Sequence, residues 1–158
     1  MRKSPFGRRF ENRALGCGFS NCSKCNINGK QLEVFEDREG ILVISNGKAG
    51  TTFFLEKGRY AITDHAYILF LKESCPYKIA IKWLMTQYRQ TFLSYTSGAD
   101  NATWNMTGFF TDTTIDIPEY SEQAESVRQY DRLESVRLSL RELEDRIERL
   151  LSRQLANT

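Results

Sequence analysis

The chain has 158 residues, 22 basic and 20 acidic side chains, a net charge of +2 and 41% hydrophobic residues. That length suits one domain, or a compact head with one appended element, and is enough to bury a core. No apolar run reaches the roughly 18 residues of a membrane span and the start lacks a signal-peptide core, so a cytoplasmic protein is expected, with its cysteines as thiols or ligands.

Residues 1–31 hold seven Lys or Arg (Arg2, Lys3, Arg8, Arg9, Arg13, Lys24, Lys30) against Glu11 alone. A basic start above a near-neutral remainder suits contact with a polyanion, and equally suits a merely solubilising tail. Glycines and polar residues without periodicity predict irregular structure here. The segment contains Cys17-x4-Cys22-x2-Cys25, and a Cys-x2-Cys step lets two thiolates face one tetrahedral zinc ion. A fourth ligand would come from Cys75, His65 or an acid. Three reduced cysteines in a loop explain the same residues.

From Glu33 the texture changes to short β-branched and aromatic runs separated by turns. Ile41–Ile44, Thr51–Leu55, Arg59–Thr63 and Ala66–Leu71 predict antiparallel strands. Tyr77–Tyr95 carries apolar residues at Ile79, Ile81, Trp83, Leu84, Tyr88, Phe92 and Leu93, a spacing that predicts an amphipathic helix packed on the sheet. Ser97–Asn101 reads as a polar loop, and Trp104–Phe110 returns to the core. The head, residues 1–120, is therefore expected to be α+β, a small mostly antiparallel sheet with a packed helix.

An extended Ile115-Asp116-Ile117-Pro118 then feeds one long helix, from about Ser121, its candidate N-cap, to Leu155 within a second unit, residues 121–158. Leu133, Val136, Leu140, Leu143, Ile147 and Leu150 alternate steps of three and four, the heptad seam of a coiled coil. The other faces are dense in charge of both signs, with Glu142–Arg146 and Asp145–Arg149 at i,i+4 and the acid first. Such a seam predicts a partner helix. An ordinary helix packed on its own domain would be shorter, since roughly 35 residues span about 50 Å.

Catalytic constellations are scarce. His65, the sole histidine, has Asp64 beside it but no nucleophile signature around it, and a polar histidine at a strand end explains it. No acid is followed two residues later by lysine, so the metal-dependent nuclease pattern of restriction endonucleases is missing. Gly47-Lys48-Ala49-Gly50 lacks the ending of a phosphate-binding loop, and the tetrapeptide of adenine methyltransferases is absent.

The order of features, a strand into Gly47-x-x-Gly50, then Gly58-x-Tyr60-Ala61-Ile62-Thr63-Asp64-His65-Ala66, a helix, a Ser-Gly loop, and Ile115-Asp116-Ile117-Pro118 with Glu122-Gln123 opening a long helix, resembles the specificity subunit of type I restriction-modification enzymes. The resemblance covers roughly residues 39 to 155. It implies a target-recognition head and a spacer helix, half of a subunit that typically holds two of each, with spacers paired as an antiparallel coiled coil. It further implies a non-catalytic role, double-stranded DNA as ligand, DNA adenine methyltransferase subunits and a translocase-nuclease as partners, and here a homodimer through the seam. The candidate DNA contacts are the turn residues Lys48, Thr51, Arg59 and Thr63 and the loop residues Ser97, Asp100 and Asn101, where polar side chains can meet bases and phosphates. Two alternatives use the same residues differently: a coiled-coil adaptor that assembles proteins without reading DNA, and a zinc-stabilised binding module.

Overall fold

A computed structural model describes the backbone of residues 8–11, 15–17, 23–27, 30–35, 38–58, 60–62, 65–73, 75–98 and 101–156, and side chains of 38–58, 60, 65–73, 75–98 and 101–153. Four strands fall early: β1 (Arg8–Glu11), β2 (Leu15–Cys17), β3 (Ser23–Ile27) and β4 (Lys30–Phe35). They correct the expectation that residues 1–31 are irregular. Runs this short show no alternation, and two of them pair with strands far along the chain, which local periodicity does not register.

Next come β5 (Gly40–Ile44), β6 (Thr52–Leu55), β7 (Tyr60–Ile62) and β8 (Ala66–Leu71), as their β-branched and aromatic runs predict. A four-stranded sheet has the order β2-β8-β5-β6, and a three-stranded sheet the order β3-β4-β7. All pairings are antiparallel, with Ile41 opposite Phe54 on one side and Leu69 on the other. The period of two sends Ile41, Val43 and Leu69 into the main core, and Ile68 and Phe70 to the other face, where Leu42, Leu55 and Tyr60 pack with them.

The helix expected over Tyr77–Tyr95 is instead two short helices, α1 (Ile81–Gln87) and α2 (Arg89–Ser94), separated at Tyr88, whose φ of −102° and ψ of 16° leave the helical region. The half-buried Tyr88 is tied to the Asp116 backbone through its hydroxyl. It accepts from the Asp116 N–H at 2.9 Å and donates to the Asp116 carbonyl at 3.4 Å. Burial pushes its pKa up, with the backbone bond opposing and the Asp116 charge adding to the rise.

A hairpin of two-residue strands follows, β9 (Thr96–Ser97) with β10 (Thr103–Trp104), then α3 (Met106–Asp112), capped by the Asn105 side chain accepting from the Gly108 N–H at 2.9 Å. Trp104 and Phe109 return to the core as expected. Phe92 stacks on Phe109 with ring centroids 4.6 Å apart, and the Trp104 indole donates to the Phe92 carbonyl at 3.0 Å. β11 (Thr114–Ile117) alternates, with Ile115 and Ile117 buried, and pairs with β1 from Arg8 opposite Ile117 to Glu11 opposite Thr114.

The last element among the described residues is α4 (Tyr120–Ala156), 37 residues and so about 55 Å long. Its start is one residue earlier than Ser121. The Glu119 carbonyl accepts from the Glu122 and Gln123 N–H groups, which puts Glu119 rather than Ser121 at the cap position. The architecture is α+β: small antiparallel sheets, packed helices and a long C-terminal helix. Among the described residues no helix is long and apolar enough to cross a membrane.

Candidate nucleic-acid interface

The β5–β6 connection turns on two glycines with positive φ, Gly47 at 80° and Gly50 at 76°, a conformation that costs a residue with a Cβ about 1–2 kcal/mol. Gly50 is needed for a second reason. A Cβ there would lie 2.8 Å from both the Phe92 carbonyl and the Thr96 methyl, because the turn is pressed onto the end of α2 and the start of β9. Gly47 faces open space.

Backbone bonds fix this turn to its neighbours. The Ser45 N–H donates to the His65 carbonyl at 2.8 Å, the Gly47 N–H to Ala102 at 3.0 Å, and the Trp104 N–H to Ser45 at 2.8 Å. Asn46 forms an isolated antiparallel bridge with Thr103. The β5–β6 turn, the β9–β10 loop and the residue before β8 thus meet at one end of the four-stranded sheet. Of the sequence candidates, Lys48, Ser97 and Asn101 are exposed there and Thr51 is half-buried beside them. Arg59, Thr63 and Asp100 lie outside the described residues.

Three further residues share this end: Asn46, His65 and Thr103, all exposed. The Asn46 amide donates to His65 Nδ1 at 3.2 Å in the ring tautomer protonated on Nε2. In the sequence His65 reads as a polar histidine at a strand end and Asn46 as part of a turn, while nothing local marks Thr103. Their meeting depends on the register between β5 and β8, where Ile44 stands opposite Ala66. Within the described part of this cluster Lys48 is the one full cation and there is no carboxylate. Amides, hydroxyls, an imidazole and a lysine on a rigid sheet end can donate to phosphate and offer mixed donor and acceptor groups to base edges.

At the base of the long helix the head is tied to α4 by Gln123, whose side chain is fully buried. Its Oε1 accepts from the Ala80 N–H at 2.8 Å, and its Nε2 donates to the Lys78 and Pro118 carbonyls at 3.2 and 3.0 Å. Lys82 on α1 reaches Asp131 on α4 at 2.6 Å. A cleft of about 380 Å³ is lined by Trp83, Gln87, Tyr88, Asp116, Pro118, Glu122 and Ser126. Arg128 holds the Glu125 carboxyl below its usual value through a direct hydrogen bond, with Gln129 adding to it.

Beyond Asp131 the helix leaves the head. Leu133, Val136, Leu140, Leu143, Ile147 and Leu150 are 53–70% exposed, as are Leu138 and Leu151 off the seam.

Cys17 closes β2 and Cys25 lies in β3, strands of two different sheets, while Cys22 and all three side chains lie outside the described residues. Of the suggested fourth ligands, the Cys75 thiol contacts the Tyr77 carbonyl at 3.5 Å and His65 Nδ1 faces Asn46. Among the described residues no three His, Cys, Asp or Glu are grouped to hold a metal.

With that geometry the chain is similar in fold to a solved structure, the S subunit of a type I restriction-modification system from M. genitalium. The TM-score is 0.57 at 11% identity, over 84% of this chain and 40% of that one. The likeness is one of fold. It is to the kind of protein that the order of sequence features resembles, and the chain spans well under half of that subunit. No protein-family model and no curated protein matches the sequence.

Proposed function

We propose that the chain is a DNA-specificity subunit of a type I restriction-modification complex, contributing one recognition head and one spacer helix. The observation that carries this is the fold likeness to a type I S subunit over 84% of the chain. Two features of this chain agree with it. The polar, lysine-bearing loop cluster at the sheet end is suited to a duplex, and the exposed seam of α4 is suited to a second helix. In this reading the chain performs no chemistry. It directs DNA adenine methyltransferase subunits and, through the complex, a translocase-nuclease to a double-stranded target.

A self-paired seam would place one head at each end of an antiparallel coiled coil. Identical heads would then read an inverted repeat with a gap set by the helix length. The exposed seam also favours a second reading, a coiled-coil adaptor that assembles proteins without reading DNA. A methylation assay with a type I methyltransferase subunit separates the two. Site-directed adenine methylation that appears only when this chain is present supports the first; co-assembly with no effect on which DNA is methylated supports the adaptor.

A further inference from the structure

We propose that Asn46, held by His65, is a specificity-determining residue of the head and reads an adenine in the major groove. This rests on the reading of the head as DNA-binding and names the residue within it.

An exposed asparagine normally has water on both ends of its amide and no reason to be held. Asn46 is held twice. Its backbone lies between Ser45 and Gly47, which are bonded to His65, Ala102 and Trp104, and it bridges Thr103. Its side-chain amide is fixed by His65 Nδ1 at 3.2 Å. Fixing both parts removes the rotamer entropy that binding would otherwise cost.

The bond to His65 uses one of the two amide hydrogens. The other hydrogen and Oδ1 remain, a donor and an acceptor side by side. That pair matches adenine, whose N7 accepts and whose N6 amino group donates, and it matches no other base edge in the major groove as well. Lys48, two residues on and exposed, supplies a charge for an adjacent phosphate. His65 is a positioning residue: it orients the amide and need not touch the base.

The test is selection by the full chain from a library of randomised duplexes, repeated with Asn46→Ala, Asn46→Asp, His65→Ala and His65→Gln, with melting curves and affinity for a nonspecific duplex measured alongside. The wild type is expected to enrich a site containing an adenine that Asn46→Ala no longer selects, a loss of about tenfold in discrimination at that position. Nonspecific affinity should stay within about twofold, since it rests on phosphate contacts. Asn46→Asp keeps the shape but loses the donor, and should shift the same position away from adenine. His65→Ala should weaken the preference there, and His65→Gln, whose carbonyl can accept from Asn46, should restore part of it.

If the wild type enriches a site and Asn46→Ala and Asn46→Asp enrich the same site equally, this inference is wrong while the proposed function stands. A folded Asn46→Ala that loses nonspecific binding as well would also overturn it, since Asn46 would then be a general contact. If the wild type enriches no site, sequence recognition itself fails and this inference with it.

Discussion

The fully buried Gln123 on α4 accepts a hydrogen bond from the Ala80 N–H, 43 residues earlier in the chain, at 2.8 Å. Ala80 is the N-cap of α1 and has no side chain to cap with. One amide on the long helix therefore joins the entry of a head helix to the end of the connecting segment, through Lys78 and Pro118. The neutral amide suits this place because it must both accept and donate; a carboxylate could only accept and would face two carbonyls.

Replacing Gln123 by Leu leaves one N–H and two carbonyls without that partner. Unfolding in urea is expected to show a loss of about 3 kcal/mol at an unchanged slope. Gln123→Glu should be at least as damaging at neutral pH. A change below about 1 kcal/mol for Gln123→Leu would mean that the joint is held elsewhere.

The two glycines of the β5–β6 turn should separate in a paired experiment. Gly47→Ala meets only the backbone penalty, about 1–2 kcal/mol, whereas Gly50→Ala adds a clash with the Phe92 carbonyl and should cost about 2–4 kcal/mol. Melting temperatures of the two variants check the order, and equal losses would contradict the close approach of this turn to α2.

Much of this fold was legible. The runs Ile41–Ile44 and Ala66–Leu71 form β5 and β8 because β-branched and aromatic residues fit a pleated core face, and the heptad steps mark α4. The break at Tyr88 was not legible, because the apolar spacing continues through it; its hydroxyl bonds the Asp116 backbone, a contact that no local window contains. β1 escaped notice for the same kind of reason, its partner being β11 at the far end of the head. In the candidate site, Lys48, Ser97 and Asn101 stood out as polar turn residues. Asn46 reads only as part of a turn, and His65 only as a strand-end histidine or a candidate zinc ligand, since the two are brought together by strand register.

Tyr88 predicts an alkaline dependence. Burial raises its folded pKa above the ordinary 10.0, so its contribution is complete below pH 10 and is lost as the pH rises through the higher folded value. Stability followed between pH 9 and about 11.5 should fall less for Tyr88→Phe than for the wild type. Identical slopes would mean that the hydroxyl is not held in a desolvated site.

The seam of α4 predicts self-association. Leu140→Asp with Leu143→Asp would place charge in a dimer core at a cost of several kcal/mol and should give monomers, with the head's melting unchanged. Light scattering at micromolar concentration reads this directly. A wild type that is already monomeric, alone and with methyltransferase subunits, would assign the seam to a different chain.

Duplex binding by the sheet-end loop cluster is read by fluorescence titration of a labelled duplex with the full chain at rising salt, for the wild type and for Lys48→Ala. Binding at low salt is expected to weaken steeply as salt rises, and removing Lys48 should give a weaker complex with a shallower salt slope, by about one unit. Absence of binding at low salt, or binding with the same slope in both proteins, would contradict duplex binding by this cluster.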